Sequence, residues 1–251
     1  MQLNQANIYF VLVRPVFLGN IGATARLMKN FGFEKLRLVD APRNYKDAEA
    51  RKMAVDAFDI LKAAEVFASL PEAVADLNLV VGTSSGQQRS QLLESLPQFL
   101  ERATAQNIES TNKIAIVLGD ERNGLSIDEL AVCNVQIRIP TNPLFPSLNV
   151  SQAACILAYE MSKFSKVDDS ASSGDADRAS ANLLTTADDD QELFEQLSQV
   201  LEKIQFSRAH NKDLVLGQLR QFYKRALPTK RESDLLRGVL HRLKSLGDFE
   251  K

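Results

Sequence analysis

Five short runs are almost unbroken in apolar and β-branched residues: "NIYFVLV" (7–13), "KLRLVD" (35–40), "LNLVVGT" (77–83), "KIAIVLG" (113–119) and "VQIRIP" (135–140). A strand with one face in water alternates polar and apolar residues, whereas a strand apolar throughout must be covered on both faces. Helical patterns separate the runs, as in "IGATARLMKNFG", where Ala25, Leu27 and Met28 line up before Gly32 closes the helix. Buried strands alternating with helices predict an α/β domain built on a largely parallel sheet.

Asn149 begins a further helix, with Gln152 three residues on completing a capping-box-like pair. Val150, Ala153, Ala154, Leu157, Met161 and Phe164 share one helical stripe, and Ile156 and Ala158 widen the apolar surface beyond it. Such a helix is either packed within its own domain or shared with a second subunit, and the sequence leaves both open. From Ser165 to Asp190 small polar and acidic residues dominate and no apolar period survives, so 165–190 reads as a flexible linker. Beyond it, three apolar stripes mark three helices: Phe194, Leu197, Leu201 and Ile204; Leu216, Leu219 and Tyr223; Leu236, Val239, Leu240 and Leu243. Thr229 and Glu232 form a capping box behind Pro228 at the start of the last one. Residues 191–251 are expected to form a small helical domain.

Hydrophobic residues at 45% and charged residues at 25% of 251 place the chain among ordinary soluble proteins of one or two domains. Its net charge of -2 conceals an uneven distribution. Lys203 to Ser245 carries eleven Lys and Arg against three Asp and Glu, whereas residues 1–164 carry 16 basic and 17 acidic groups. A polyanion would be drawn mainly by the tail. Cys133 and Cys155 form no C-x-x-C pair and have no histidine nearby, which points away from zinc and from a disulfide framework; no metal is expected. The start "MQLNQANIYF" lacks the pattern of a signal peptide, and no run reaches the length of a membrane span. A cytoplasmic protein without a membrane partner is expected.

Three stretches after strands carry candidate chemistry. "GNIGATAR" (19–26) places glycines at a helix start, where backbone N–H groups and the helix dipole favour an anion; a tight strand-to-helix turn with Arg26 solvated is the alternative. It has neither the Lys-Ser/Thr of a P-loop nor the G-x-G-x-x-G spacing of a dinucleotide fold, which argues against nucleotide hydrolysis and nicotinamide chemistry. "VLGDERNGLS" (117–126) sets Gly119 at a strand end and Gly124 before a helix, where backbone can approach a ligand; Asp120, Glu121 and Arg122 could equally be a solvated turn. "IPTNPLFPSLNVSQAACILAYE" (139–160) is stiffened by Pro140, Pro143 and Pro146 and carries no acid or base before Glu160, the character of a loop that reads a neutral group through its backbone, or of a rigid connection that binds nothing.

Taken in order with "VVGTSS", these stretches resemble the motifs of the TrmH (SpoU) branch of the SPOUT RNA methyltransferases, most closely its tRNA 2'-O-methylating members. Asn20, Gly22 and Arg26 match the first motif; Gly119, Glu121, Gly124 and Leu125 the second; Ile139, Pro140, Ser147, Leu148, Asn149 and Ser151 the third. The resemblance implies an α/β SPOUT fold with a mostly parallel sheet and a trefoil knot, followed by a small helical domain. Residues 1–164 would be the catalytic domain, 165–190 the linker and 191–251 a tRNA-binding domain. It implies a homodimer that uses S-adenosyl-L-methionine to methylate the ribose of nucleotide 32, cytidine or uridine, in the tRNA anticodon loop. The cofactor would lie against Thr83, Ser84, Ser85, Gly119, Ile139, Pro146, Ser147 and Leu148. Arg26 would grip the adjacent phosphate and ease alkoxide formation, with Asn20, Glu121, Ser147 and Asn149 orienting it or the nucleotide. Arg220, Lys224, Arg225, Lys230, Arg231 and Arg237 would meet RNA phosphates. The chain departs from the branch at Gly86, with arginine delayed to Arg89, and at Asp120, a carboxylate that would repel a nearby phosphate unless it points away. A ribosomal-RNA methyltransferase of the same branch and a non-catalytic RNA-binding protein of the same fold are the alternatives.

Overall fold

The computed structural model describes residues 4–84, 93–105, 110–164, 183–206 and 211–245. Six parallel strands form one sheet: β1 (Ile8–Val13), β2 (Lys35–Val39), β3 (Glu65–Phe67), β4 (Leu79–Thr83), β5 (Ile114–Leu118) and β6 (Val135–Ile137), in the order β3-β2-β1-β5-β4-β6. The five expected strands are present. β3 is additional; three residues at a sheet edge with Glu65 and Val66 exposed carry too little apolar character to announce themselves.

The unbroken runs have the cause expected of them. Ile8, Phe10 and Leu12 of β1 enter one core, while Tyr9, Val11 and Val13 enter another on the opposite face; Ile114, Ile116 and Leu118 of β5 divide from Ala115 and Val117 in the same way. The first face is covered by helices α1 (Leu18–Asn30), α2 (Ala48–Ala54), α3 (Phe58–Ala63), α5 (Leu96–Ala105) and α7 (Val150–Ser162). The second is covered by α4 (Leu70–Val74) and α6 (Ile127–Val132). Gly22 is a packing glycine: a Cβ there would stand 2.1 Å from the Ala50 carbonyl oxygen on α2. The helix start at Asn149 is as expected, its side chain accepting from the Ser151 and Gln152 amides while Gln152 accepts from the Asn149 amide. On α7, Val150, Ala154, Leu157, Ala158 and Met161 are buried, and Ile156 and Tyr159 face solvent.

Three tail helices follow: α8 (Ala187–Lys203), α9 (Lys212–Ala226) and α10 (Lys230–Ser245), the last opened by the expected Thr229/Glu232 pair. Of the segment read as a linker, residues 165–182 lie outside the described residues, and 183–190 is bonded to the sheet domain. Leu184, Thr185 and Asp190 are buried, and the Leu184 backbone is held at both ends, its carbonyl accepting from Asn78 Nδ2 at 2.8 Å and its amide donating to Asn112 Oδ1 at 2.9 Å. Ala187 and Asp188 then donate to the Leu77 and Ala75 carbonyls. Polar composition concealed this segment because its order comes from hydrogen bonds to asparagines of the sheet domain and not from an apolar period.

Candidate active site

The three adjacent strands β5, β4 and β6 deliver their carboxyl ends to one rim, the place where ligands bind in open parallel sheets. A cleft of about 260 Å³ opens there. Thr83, Ser84, Gly119, Ile139, Pro146, Ser147 and Leu148 all line it, together with Glu121. Every expected cofactor residue within the described part of the chain is thus gathered in one place; Ser85, with Gly86 and Arg89, lies outside the described residues. Gly119 makes the rim possible, since a Cβ on it would fall 2.1 Å from the Gly124 carbonyl carbon and 2.3 Å from the Leu125 nitrogen. The Gly124–Leu125 peptide passes where a side chain would be.

Beside the cleft, a directed chain of hydrogen bonds joins the three motifs. Asn149 Nδ2 donates to Asn20 Oδ1 at 3.0 Å, and Asn20 Nδ2 donates to Glu121 Oε1 at 2.7 Å. The Val16 and Phe17 amides donate to the Glu121 carboxylate at 3.0 and 3.4 Å, and the Gly19 amide to Glu49 Oε1 at 3.2 Å. The anion attracted to the α1 N-terminus is therefore the protein's own pair of carboxylates. Glu121, Asn20 and Asn149 act as braces that set the motifs relative to each other.

Asp120 is among the residues lining the cleft, yet it is buried and its carboxylate is engaged by its own loop and by Arg14. Its Oδ1 accepts from the Arg122 and Asn123 amides at 2.8 and 2.7 Å, and its Oδ2 accepts from Arg14 at 3.2 Å. Burial works against its charge, but the two amides and the Arg14 guanidinium outweigh it and hold the carboxyl below the usual range. The carboxylate that looked out of place beside RNA is a loop staple. Sequence reasoning missed Arg14, which belongs to no motif; the oddity of Asp120 was the available signal.

Arg26 lies on the exposed side of α1, outside the cleft lining, with no hydrogen-bond or ion-pair partner among the described residues. In the tail, Arg225, Lys230 and Arg231 are exposed. Arg237 is engaged by Glu192 at 3.0 Å and by the Asp189 carbonyl, and Arg220 lies 5.0 Å from the Phe194 ring centroid. Phe222 is exposed, while Tyr223 packs edge-on against Phe194.

Lys224 corrects the expected RNA-contacting set. It is only 9% exposed, and its Nζ donates to the Ala131 and Val132 carbonyls at 2.7 and 2.6 Å, capping the carboxyl end of α6 from the tail. A basic residue in a basic helix reads as solvated unless its tertiary neighbours are known. Burial pushes its ammonium down to about 8, with Arg220 adding to the push and Cys133 and Asp190 opposing it. From about pH 8 to about 10.5 the unfolded chain thus keeps a proton that the folded chain has lost, so stability rises with pH in that window. Between about pH 7.5 and about 9.5, wild type is expected to gain about 1–2 kcal/mol over Lys224→Met, measured by urea denaturation. A gap that stays constant contradicts the buried ammonium.

A parallel α/β sheet with motif-bearing loops gathered at its carboxyl rim defines a class that family comparison makes explicit. Residues 7–159 match the model of the SpoU rRNA Methylase family, and the chain belongs to that family. Its particular likeness is to TrmJ, since residues 188–249 match the model described as tRNA methyltransferase TrmJ, C-terminal domain. The chain is 36% identical over 236 residues to the tRNA (cytidine/uridine-2'-O-)-methyltransferase TrmJ of Sodalis glossinidius, covering 93% of this chain and 90% of that one. It is 34% identical over 242 residues to TrmJ of Pectobacterium atrosepticum, covering 96% and 98%. Among solved structures, TrmJ from Z. mobilis ZM4 superposes with a TM-score of 0.74 at 31% identity, over 94% of this chain and 99% of that one. A probable methylase family protein from Haemophilus influenzae superposes with a TM-score of 0.57 at 29% identity, over 96% and 97%.

Proposed function

We propose that this protein is an S-adenosylmethionine-dependent tRNA 2'-O-methyltransferase that modifies the ribose of nucleotide 32, cytidine or uridine, in the anticodon loop. The observation that carries the reading is the convergence of the loops after β4, β5 and β6 on one cleft, with the first motif bonded to the other two through Asn20. The reading further includes a trefoil knot in the sheet domain, a homodimer and a cytoplasmic location. The large apolar side chains of Ile156 and Tyr159, exposed on α7, support the dimer.

The cleft fits the donor chemically. Leu118, Leu125, Ile139, Leu148 and Ala153 supply apolar walls for a purine, and Ser84, Ser147 and the loop backbone supply polar groups for its edges and the ribose. Bound there, the donor supplies an electrophilic methyl group on a sulfonium. The chain's own residues hold, orient and neutralise. Asn20, Glu121 and Asn149 keep the loops in register; Ser147 faces the cleft beside Pro146 and Leu148. Arg26, a permanent cation with no partner among the described residues, is suited to an RNA phosphate and to the negative charge that grows on the attacking 2'-oxygen. Arg225, Lys230 and Arg231 are among the exposed tail cations available for RNA phosphates.

Incubating the purified chain with the methyl donor and unmodified tRNA should place one methyl on the 2'-oxygen of nucleotide 32, detected by mass mapping of nuclease fragments. Methylation of ribosomal RNA with none of tRNA would replace the substrate. Absence of donor binding in a calorimetric titration would end the enzymatic reading.

A further inference from the structure

Arg14 stands one residue past β1 with a left-handed backbone, φ 50°. For a residue with a Cβ that conformation is strained, and surrounding contacts must offset the strain. Those contacts are specific. Its amide donates to the Val39 carbonyl at 2.8 Å, fixing the backbone between β1 and β2, and Pro15 behind it is buried. Its Nη2 donates to Asp120 Oδ2 and to the Gly124 carbonyl, both at 3.2 Å, and its Nη1 donates to Glu129 Oε1.

Asp120 and Gly124 are the two ends of the loop that forms one wall of the cleft, already joined by the Gly124 amide donating to the Asp120 carbonyl at 3.0 Å. Glu129 is the capping-box partner of Ser126 at the start of α6, its Oε2 accepting from the Ser126 amide at 2.7 Å. One guanidinium thus ties both ends of the loop to the helix that follows. Arg14 itself does not line the cleft, so anything it does for a ligand it does through that loop. Three acceptors divided between two guanidinium nitrogens suit the arginine fork and exceed what a single ammonium reaches.

We propose that Arg14 is a positioning residue, clamping the Asp120–Gly124 loop in the shape that receives S-adenosylmethionine. The identity of the ligand rests on the functional reading above; the clamp rests on geometry alone. Two measurements on the full chain test it in wild type, Arg14→Met and Arg14→Lys. Calorimetric titration with S-adenosylmethionine should show Kd raised about tenfold in Arg14→Met, with Arg14→Lys raised about threefold, while kcat at saturating donor changes by less than about twofold. Amide exchange should speed about tenfold at Arg122, Asn123 and Gly124 in Arg14→Met, with the remaining sheet amides unchanged. A merely structural residue would lower the melting temperature without this split between Kd and kcat. A Kd within about twofold of wild type in Arg14→Met, or in Arg14→Lys should the methionine variant not fold, overturns the proposal. Failure of wild type to bind the donor would sink the functional reading instead, and unaltered exchange at the three loop amides would then be the result that overturns the clamp.

Discussion

Arg26→Ala is expected to lower kcat for methyl transfer to tRNA by about 10²- to 10³-fold while leaving the donor Kd within about twofold, the size of loss seen when one oxyanion-stabilising donor is removed. The separation of the two effects follows from position. Arg26 is exposed on α1, outside the cleft lining and without a partner among the described residues, so its removal disturbs neither the fold nor the donor's walls. What disappears is a fixed cation available to phosphate and developing alkoxide. Single-turnover methyl incorporation beside calorimetric donor binding checks both halves. Full activity would remove Arg26 from the chemistry, and lost donor binding would show that it serves the cleft in another way.

The second large effect is expected from the smallest substitution. Gly119→Ala adds one methyl group 2.1 Å from the Gly124 carbonyl carbon, 2.3 Å from the Leu125 nitrogen and 2.4 Å from the Gly124 oxygen. Backbone cannot rotate aside as a side chain can, so the 119–125 loop must move and the cleft changes shape. The expected results are a donor Kd raised at least about 100-fold and a stability loss of about 1–3 kcal/mol, the usual range for an overpacked site. Titration and urea denaturation measure the two; wild-type affinity in Gly119→Ala would show that the donor does not depend on this rim.

The two variants together report where Arg26 acts. Each is expected to be inactive for a different reason, one lacking the cation and the other the cleft. Activity that returns on mixing them places Arg26 of one copy at the cleft of the other. Activity that does not return keeps the cation and the cleft within one copy.

Much of the site was legible because it is written in local runs. Thr83, Ser84, Gly119, Glu121, Ile139, Pro146, Ser147 and Leu148 come from three short stretches, each leaving a strand, and each contributes to the same cleft. Motif order and spacing carried that information. Arg14 was illegible because a single arginine after a strand has no periodic or spaced partner; its acceptors Asp120, Gly124 and Glu129 lie 106, 110 and 115 residues away. The tail cations divided for a related reason. Charge counts register Arg225 and Lys224 equally, yet one is exposed and the other caps α6.

Burial on both faces and helix capping are local properties, so the sequence by itself determined the five main strands, the starts of α7 and α10, and the loops that bear the motifs. Tertiary structure alone decided that β5 enters between β1 and β4, which is what brings the loops after β4, β5 and β6 to one rim. It alone decided that Asp120 is held by Arg14 and that Leu184 is anchored by Asn78 and Asn112. The physical reason is the same in each case: these outcomes depend on which polar groups satisfy one another across long separations, 93 residues between Lys224 and Ala131 for example, and no residue pattern along the chain encodes such a partner.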